Sequence, residues 1–395
     1  MFLKKVWPVS CLSLLLITVF FTGFFLGSQS SKPKVQFSQD TQIAEEYIAP
    51  FYDSWEIVHQ QYLNQPVNDE LLVRGAIRGL MESLNDPYSS YMDPEEFTAQ
   101  STPLEGEYTG IGAWVDTSGE LLVIISPMPD SPAEAVGIKP GDTVVGINGE
   151  DVTSLAPTLV LNQILGPAGT TINLTIQRDG ETLEFTVERA VIPIPSVEST
   201  LMDDAIGYIR LYNFGANSAE EVVNAYNTLR SQGVTKLIFD LRNNTGGYVE
   251  TAVEITSLFI RNGTILIEEK GDGTQKVYRN TGRILDDDSP MVVLVNEGSA
   301  SASEIMAGAL QDTNRAKLMG ATTYGKGYIQ QWIPLNDEFG AIRITIARWL
   351  TPDGHQIQGQ GLTPDIPVIL TDEDYQNQND RQLFEAIEYL KRIES

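Results

Sequence analysis

Residues 291–312 read MVVLVNEGSASASEIMAGALQD, and this stretch decides how the second half of the chain folds. Its first five residues are all apolar, which is typical of a strand buried on both faces of a sheet. Residues 303–311 are rich in alanine and favour a helix, and a serine-rich turn joins the two segments. The stretch therefore predicts a β-strand that runs directly into an α-helix, the repeating unit of α/β folds.

The same alternation of strand and helix extends over residues 193–395. Strands are predicted at 205–211, 236–240 and 291–295, and helices at 218–232, 249–260 and 303–311. Two later strands, 328–334 and 341–350, have the pattern of an antiparallel pair, and Leu383, Ile387 and Leu390 mark a final helix. We therefore predict a multi-domain α/β protein in which residues 193–395 form a core with a largely parallel sheet.

Residues 106–192 have a different pattern, with short strands separated by turns rich in proline and glycine. The run SPAEAVGIKPGD at 131–142 leads into a strand and an Asn148-Gly149 hairpin turn, and a helix is predicted over 157–165. Together with Gly110-Ile111-Gly112, this block resembles a bacterial PDZ domain inserted before the core. The resemblance implies that Gly110, Ile111 and Gly112 bind the carboxylate of a peptide tail and that the next strand edge pairs with the peptide.

The N-terminal residues 1–30 have the pattern of a signal-anchor or a signal peptide. Lys4 and Lys5 precede residues 6–27, which carry no charged side chain. The lysines would stay in the cytoplasm, so the remainder is expected outside it, anchored by this helix or secreted after cleavage. Residues 31–105 are predicted to be a tether followed by a helical segment, in which Phe51, Trp55 and Val58 have helical spacing.

The composition limits the chemistry that this chain can carry. The 395 residues hold two histidines, one cysteine and a formal net charge of −27. Such a charge repels phosphate backbones, so nucleic acid is not an expected partner. Cys11 lies in the N-terminal apolar run, and a histidine-rich zinc site cannot be assembled. We therefore expect no metal and no cofactor.

A serine and a lysine are the best candidates for hydrolytic chemistry in this chain. Ser301 lies at the strand-to-helix junction, where α/β sites form and where helix N–H groups can stabilise an oxyanion. Ser299, Ser301 and Ser303 could each be a helix cap instead, and the pattern alone does not choose among them. Lys326 lies between two glycines in TYGKGY, an uncharged setting in which burial would lower the pKa of the amine and favour a general base.

Three blocks in a fixed order now identify a family. DLRNNTGG at 240–247, NEGSASASEIMAGALQD at 296–312 and TTYGKGYIQ at 322–330 resemble the carboxyl-terminal processing proteases, serine peptidases with an inserted PDZ domain. The likeness extends from about residue 45 to 392 and includes NDPYSSY at 85–91. One departure is the turn Leu165-Gly166-Pro167-Ala168-Gly169, where family members often carry an arginine.

The resemblance also implies roles for individual residues. Ser301 would be the nucleophile, Lys326 the general base and Gln330 the group that orients the lysine. The oxyanion would be bound by the Ala302 N–H and by the turn at Gly246 and Gly247. The N-terminal helical segment is expected to pack with the C-terminal helix and to support a homodimer.

The leading hypothesis is an ATP-independent serine endopeptidase outside the cytoplasm that captures apolar C-terminal tails through its PDZ domain. Cleavage would use a Ser-Lys dyad and an acyl-enzyme. The alternative is a PDZ adaptor or an apolar-ligand carrier that has a protease-like scaffold but no turnover. A third hypothesis, a Ser-His-Asp hydrolase using His355, is weaker because no GxSxG motif surrounds Ser301.

Overall fold

The computed structural model describes residues 45–286, 288–336, 339–377 and 379–393. It divides the chain into two compact units, Met1–Asp69 and Glu70–Ser395, and each is described by itself. The predicted signal-anchor at 1–30 and the start of the tether lie outside the described residues. Among the residues that are described, no helix is both long and apolar enough to cross a bilayer.

Helix α1, Glu45–Gln61, makes up most of the described part of the first unit. The His59 imidazole stacks on the Trp55 ring, with 4.9 Å between centroids, and contacts the Trp55 carbonyl oxygen at 2.8 Å. The contacts of His59 with Trp55 are therefore local packing within the helix. Helix α2 follows at Asp69–Glu82, so the predicted helical segment contains two helices.

The PDZ-like module contains its own small core. Its sheet has the strand order β3-β4-β5-β7-β8, with β6 paired to β5 and with β3 at one edge. Ile111, Ile124, Val160 and Leu174 are among the buried residues of this core. A separate two-stranded ribbon, β2 with β9, joins the module to the rest of the chain. The elements in chain order are β2 Glu107–Gly110, β3 Ala113–Asp116, β4 Val123–Pro127, α4 Pro132–Ala135, β5 Thr143–Ile147, β6 Glu150–Asp151, α5 Pro157–Ile164, β7 Thr171–Arg178, β8 Glu181–Glu188 and β9 Ala190–Pro193.

The protease-like core is built on a six-stranded sheet with the order β10-β11-β12-β15-β16-β19. All neighbouring pairs are parallel except β10 with β11, which confirms the prediction of a largely parallel sheet. The strands are β10 Val197–Met202, β11 Ile206–Leu211, β12 Lys236–Asp240, β15 Met291–Val295, β16 Lys317–Gly320 and β19 Ile366–Pro367.

Helices cover both faces of this sheet because its central strands are apolar on both sides. Side chains such as Phe239 and Val293 pack against three helices on one face, and Ile238 and Leu294 pack against the C-terminal helix on the other. The helices on the first face are α6 Ser218–Ser231, α7 Val249–Ser257 and α8 Ala302–Asp312, and the C-terminal helix is α10 Arg381–Arg392. A short helix, α9 Asp372–Gln376, precedes it.

A second sheet places two distant segments next to each other. Its order is β1-β18-β13-β14, and β17 pairs with β18 as an antiparallel hairpin. Ser90 pairs with Arg343 in register, so the segment that follows α2 lies on the long strand β18. The strands are β1 Ser90–Met92, β13 Thr264–Lys270, β14 Gln275–Arg279, β17 Tyr328–Asn336 and β18 Gly340–Leu350.

Helix α3, Pro94–Glu105, is absent from the sequence prediction. It has no apolar stripe and contains Pro103, so hydrophobic periodicity gives no signal. The capping chemistry is nevertheless present: Asp93 and Glu96 form a reciprocal capping box, and Gly106 ends the helix with φ 78°. The β13–β14 hairpin and β16 are also absent from the prediction, and helix α7 ends at Ser257 rather than at residue 260.

We predict that Phe239→Ala destabilises the core by about 3–5 kcal/mol, because it removes a large side chain from a close-packed interior. Phe239 is fully buried and packs edge-on against Phe259, with 5.7 Å between ring centroids. Urea unfolding followed by tryptophan fluorescence measures the change. Phe384→Ala is the matched control: Phe384 is 57% exposed, so its loss should change the free energy of unfolding by less than about 0.5 kcal/mol.

Candidate active site

Ser301 lies where β15 ends and α8 begins, at the carboxyl edge of the parallel sheet. Its backbone has φ 56° and ψ −115°, a conformation that costs a residue with a side chain about 1–3 kcal/mol. Such a conformation persists only where surrounding contacts hold it. Half-buried, Ser301 can be reached from solvent.

The other two serines of the turn are structural. Ser299 and Ser303 are both fully buried. The Ser299 hydroxyl donates to the Leu241 carbonyl at 2.8 Å, and the Ser303 hydroxyl donates to the Asn244 carbonyl at 2.7 Å. These bonds fasten the turn to the loop after β12 and leave Ser301 as the accessible serine of the three.

Glu304 is the residue that connects the serine turn with the lysine loop. Its side chain is completely buried, and Oε2 accepts from the N–H groups of Ser301 and Lys326, each at 2.9 Å. Oε1 accepts from the Gly325 N–H at 2.7 Å and from the Thr323 hydroxyl at 2.6 Å. The sequence indicates Glu304 only as half of a helix cap. The structure shows that it does form that cap and also binds a loop more than twenty residues away.

Lys326 lies in a loop whose glycines allow close backbone packing. A Cβ at Gly325 would lie 2.7 Å from the Gly361 nitrogen, and a Cβ at Gly327 would lie 2.9 Å from the Gln358 nitrogen. Burial lowers the pKa of the Lys326 amine, and the positive charge of Arg343 lowers it further, whereas Glu304 raises it. The pKa therefore lies below the ordinary lysine value, as the uncharged setting predicts.

The predicted dyad is brought into one site but is not hydrogen-bonded in this structure. No hydrogen bond between described residues joins the Ser301 hydroxyl to Lys326 Nζ. The Gln330 amide nitrogen donates to the Thr345 hydroxyl at 3.4 Å rather than contacting the lysine. Since catalytic hydrogen bonds are often long before substrate binds, this arrangement is compatible with a dyad that closes later.

The predicted oxyanion donors differ in their availability. The Gly246 N–H donates to Asn244 Oδ1 at 2.9 Å, so in this arrangement it is not available to bind an oxyanion. Among the described residues, none accepts from the N–H groups of Gly247 and Ala302. These two amides are therefore the better candidates, and Gly246 has a packing role instead.

Both positions of this turn require glycine, because neighbouring parts of the chain approach them too closely for a side chain. Gly246 has φ +108°, and a Cβ there would lie 2.9 Å from the Ser301 Cβ and 3.0 Å from the Ala302 nitrogen. A Cβ at Gly247 would lie 2.4 Å from the Phe214 carbonyl oxygen. The turn can therefore lie directly against Ser301 and Phe214 only because neither residue has a side chain.

An ion-pair network holds the start of the same loop, and sequence reasoning missed it. Arg242 pairs with the fully buried Asp240 at 2.6 Å and with Asp380 at 2.7 Å. Tyr208 also donates to Asp240, at 2.7 Å. The loop is thereby fixed to the segment that begins the C-terminal helix. The Asp-x-Arg spacing was visible in the sequence, but its partner Asp380 lies 138 residues away.

In the PDZ-like module, Ile111 and Gly112 lie directly before edge strand β3, and Gly110 is the last residue of β2, which pairs with β9. Gly112 has φ +75°, and a Cβ there would lie 2.5 Å from the Ser131 Cβ. At the neighbouring turn, where the family often has an arginine, Arg189 donates to the carbonyls of Gln163 and Ile164 at 2.9 and 2.7 Å. An arginine from a different segment therefore caps helix α5.

His355 is poorly placed for the Ser-His-Asp hypothesis. Its side chain is 71% exposed, and Nδ1 lies 4.0 Å from Asp312. Within the part of the chain that is described, no contact joins this imidazole to Ser301. The geometry therefore does not support His355 as the base.

Comparison with known proteins agrees with this architecture. Residues 205–368 match the model of peptidase family S41, residues 109–188 match the PDZ domain and residues 18–96 match the N-terminal domain of the activating protease CtpB. A PDZ domain joined to an S41 domain defines a class of serine-type peptidases.

The chain belongs to the carboxy-terminal processing proteases of that class. It is 39% identical over 329 residues to the carboxy-terminal-processing protease of Bartonella bacilliformis, covering 81% of this chain and 75% of that protein. It is 35% identical over 320 residues to carboxy-terminal processing protease CtpA of Bacillus subtilis, covering 81% and 68%. A solved photosystem II D1 C-terminal processing protease is 30% identical, with 80% and 87% covered and a TM-score of 0.47. Membership in this family favours the enzyme over the non-catalytic adaptor.

We predict that Gly246→Ala lowers kcat/KM by about 100-fold, because displacement of a reacting group by as little as 1 Å can cost that much. The added methyl would press on Ser301 and on the Ala302 amide. Steady-state cleavage of an unfolded protein substrate measures the effect.

Gly233→Ala provides a matched control for this substitution. Gly233 also has a positive φ, +90°, but a Cβ there meets nothing within 4 Å. This variant should lose about 1–2 kcal/mol of stability from backbone strain and keep its turnover. Equal turnover in both variants would contradict the proposed contact between residue 246 and the nucleophile.

Proposed function

We propose that this protein is an ATP-independent serine endopeptidase that cuts peptide bonds with Ser301 and Lys326 through an acyl-enzyme. The observation that carries the proposal is the shared carboxylate of Glu304, which holds the backbones of both residues in one site. The lowered pKa of Lys326 supports it, because only the neutral amine can accept a proton.

The reaction would begin with transfer of the Ser301 hydroxyl proton to the neutral Lys326 amine. The serine oxygen would attack the scissile carbonyl carbon, and the oxygen that becomes negative would face the N–H groups of Ala302 and Gly247. The protonated amine would then give its proton to the leaving peptide nitrogen, so the C–N bond breaks and an acyl-Ser301 ester remains. Water would hydrolyse this ester with Lys326 again as the base.

The dyad would close through rotation of the Lys326 and Gln330 side chains. Lysine has four rotatable side-chain bonds, and no hydrogen bond between described residues restrains Lys326 Nζ. Within the described residues, the Gln330 side-chain amide makes one hydrogen bond, to the Thr345 hydroxyl at 3.4 Å. It could therefore turn toward the amine and orient it, which is the role that the family resemblance implies.

The PDZ module would select substrates by their C-terminal tails. Edge strand β3 has a neighbour on one side only, so its free edge can pair with an extended peptide. The tight loop Gly110-Ile111-Gly112 at the start of this strand would bind the terminal carboxylate. The names of the relatives, carboxy-terminal processing proteases, are consistent with this type of substrate.

The location of the enzyme is also part of the proposal. Residues 1–30, with Lys4 and Lys5 before an uncharged stretch, would place residues 45–393 outside the cytoplasm, anchored or released.

A homodimer through the N- and C-terminal helices is a further element of the proposal. Tyr47, Tyr52 and Leu63 are large exposed side chains of the first unit that such a contact could cover.

We predict that Ser301→Ala and Lys326→Ala each lower kcat by at least about 1,000-fold, since each removes a member of one catalytic unit. The measurement is cleavage of an unstructured protein with an apolar tail by the purified enzyme. The double variant should be no slower than either single variant, because the two residues act as a unit. Turnover by Lys326→Ala at the parent rate would rule out the dyad.

The pH dependence distinguishes a lysine base from a histidine base. The Lys326 amine is protonated below its pKa and neutral above it, so kcat/KM should rise as pH increases through that value. The lowered pKa places the midpoint below about 10.4, the value for an unperturbed lysine. An unchanged curve and rate in His355→Ala would exclude His355 as the base, whereas loss of turnover in that variant would support it.

A further inference from the structure

A segment from the N-terminal part of the second unit lies beside the lysine. Residues 86–90, here called the 86–90 segment, are held on strand β18 by three contacts. Ser90 pairs with Arg343 in register, Arg343 Nε donates to the Tyr88 carbonyl at 3.1 Å, and the Thr345 N–H donates to the Ser89 hydroxyl at 3.0 Å. The segment is therefore fixed to the strand whose partner β17 follows the lysine loop.

Tyr88 extends from this segment toward the amine. Its ring centroid is 5.8 Å from Lys326 Nζ. Its hydroxyl accepts from Gln358 Nε2 at 3.0 Å, and Gln358 Oε1 accepts from the Gly327 N–H at 2.8 Å. One side chain therefore covers the amine and is also connected to the backbone of the next residue in the lysine loop.

We propose that Tyr88 is a positioning residue for the general base: its ring keeps water from one side of the Lys326 amine and limits the directions in which that amine can turn. This inference rests on the proposed function, in which Lys326 takes the serine proton. It extends the active site to the 86–90 segment, more than 200 residues before the nucleophile in the chain.

The Tyr88 ring has two opposing effects on the pKa of the Lys326 amine, and the larger effect decides whether the pKa rises or falls. A ring face near an ammonium favours the charged form of the amine, and this effect is small at sites that remain partly hydrated. Loss of hydration disfavours the charged form by up to 3–5 pKa units when burial is complete. Desolvation is the larger influence on Lys326, ahead of the charges of Arg343 from β18 and Glu304 from α8. Removal of the ring should therefore raise the pKa of the amine.

The test is the pH profile of kcat/KM for Tyr88→Ala, Tyr88→Phe and the parent enzyme. In Tyr88→Ala, water reaches the amine, so the midpoint should move up by about one pH unit and kcat/KM below the midpoint should fall about tenfold. Tyr88→Phe keeps the ring and should keep the midpoint. Its kcat/KM should fall only a few-fold, because the hydrogen bond from Gln358 is missing. Tyr88→Leu covers less of the amine than tyrosine does, so its midpoint should also move up, but by less than in Tyr88→Ala. This variant provides a second measurement of the midpoint if the alanine variant folds poorly.

Tyr278→Ala is the matched control. The Tyr278 ring lies 4.0 Å from Lys276 Nζ on the β13–β14 hairpin, so this change removes a ring from a lysine that has no part in the reaction. Its pH profile should match that of the parent, and thermal unfolding should show that all variants are folded at the assay temperature.

The outcomes separate this inference from the proposed function. If Lys326→Ala is inactive and Tyr88→Ala loses activity by one factor at every pH with an unmoved midpoint, Tyr88 is only structural and the inference is overturned. A midpoint that moves as far in Tyr88→Phe as in Tyr88→Ala also overturns it, because the ring would not be responsible. Full activity of Lys326→Ala would instead overturn the dyad, and the inference with it.

Discussion

The buried carboxylate of Glu304 is the constraint on which the site depends. It accepts hydrogen bonds from the backbone of Ser301, directly before α8, and from the loop that carries Lys326, and both of its oxygens are used. A buried carboxylate is tolerated only where such donors replace water. Because the donors come from two segments, neither segment can move away without leaving polar groups unpaired in the interior. The strained backbone of Ser301 is maintained by the same contacts.

The parallel sheet explains why these segments meet. Strands β12 and β15 are neighbours, and their carboxyl ends lead into the glycine turn and into the serine turn. The serine turn bonds back to the glycine loop through Ser299 and Ser303, and Arg242 fixes the start of that loop. The arrangement at the sheet edge is therefore a consequence of strand order together with a small number of buried polar contacts.

Sequence reasoning succeeded where the signal was local. Strands β12 and β15 begin and end at the predicted residues, and helix α8 starts one residue earlier than predicted, because their apolar runs are bounded by clear turns. The lowered pKa of Lys326 also followed from its uncharged neighbours. Glu304, Arg242 and Tyr88 could not be assigned in this way. Their roles depend on partners in distant segments, and spacing along the chain contains no information about those contacts.

The site combines a rigid part with an adjustable part. Buried contacts fix the backbone around Ser301, Gly246 and Gly247, so the backbone position of Ser301 is determined by the fold itself. The side chains of Lys326 and Gln330 are held weakly, by burial and by one long hydrogen bond. In the proposed mechanism, rotations about these side-chain bonds would bring the amine toward Ser301. The partly buried amine of Lys326 has no hydrogen-bond partner among the described residues, so the proposed dyad would supply the partner that this amine lacks.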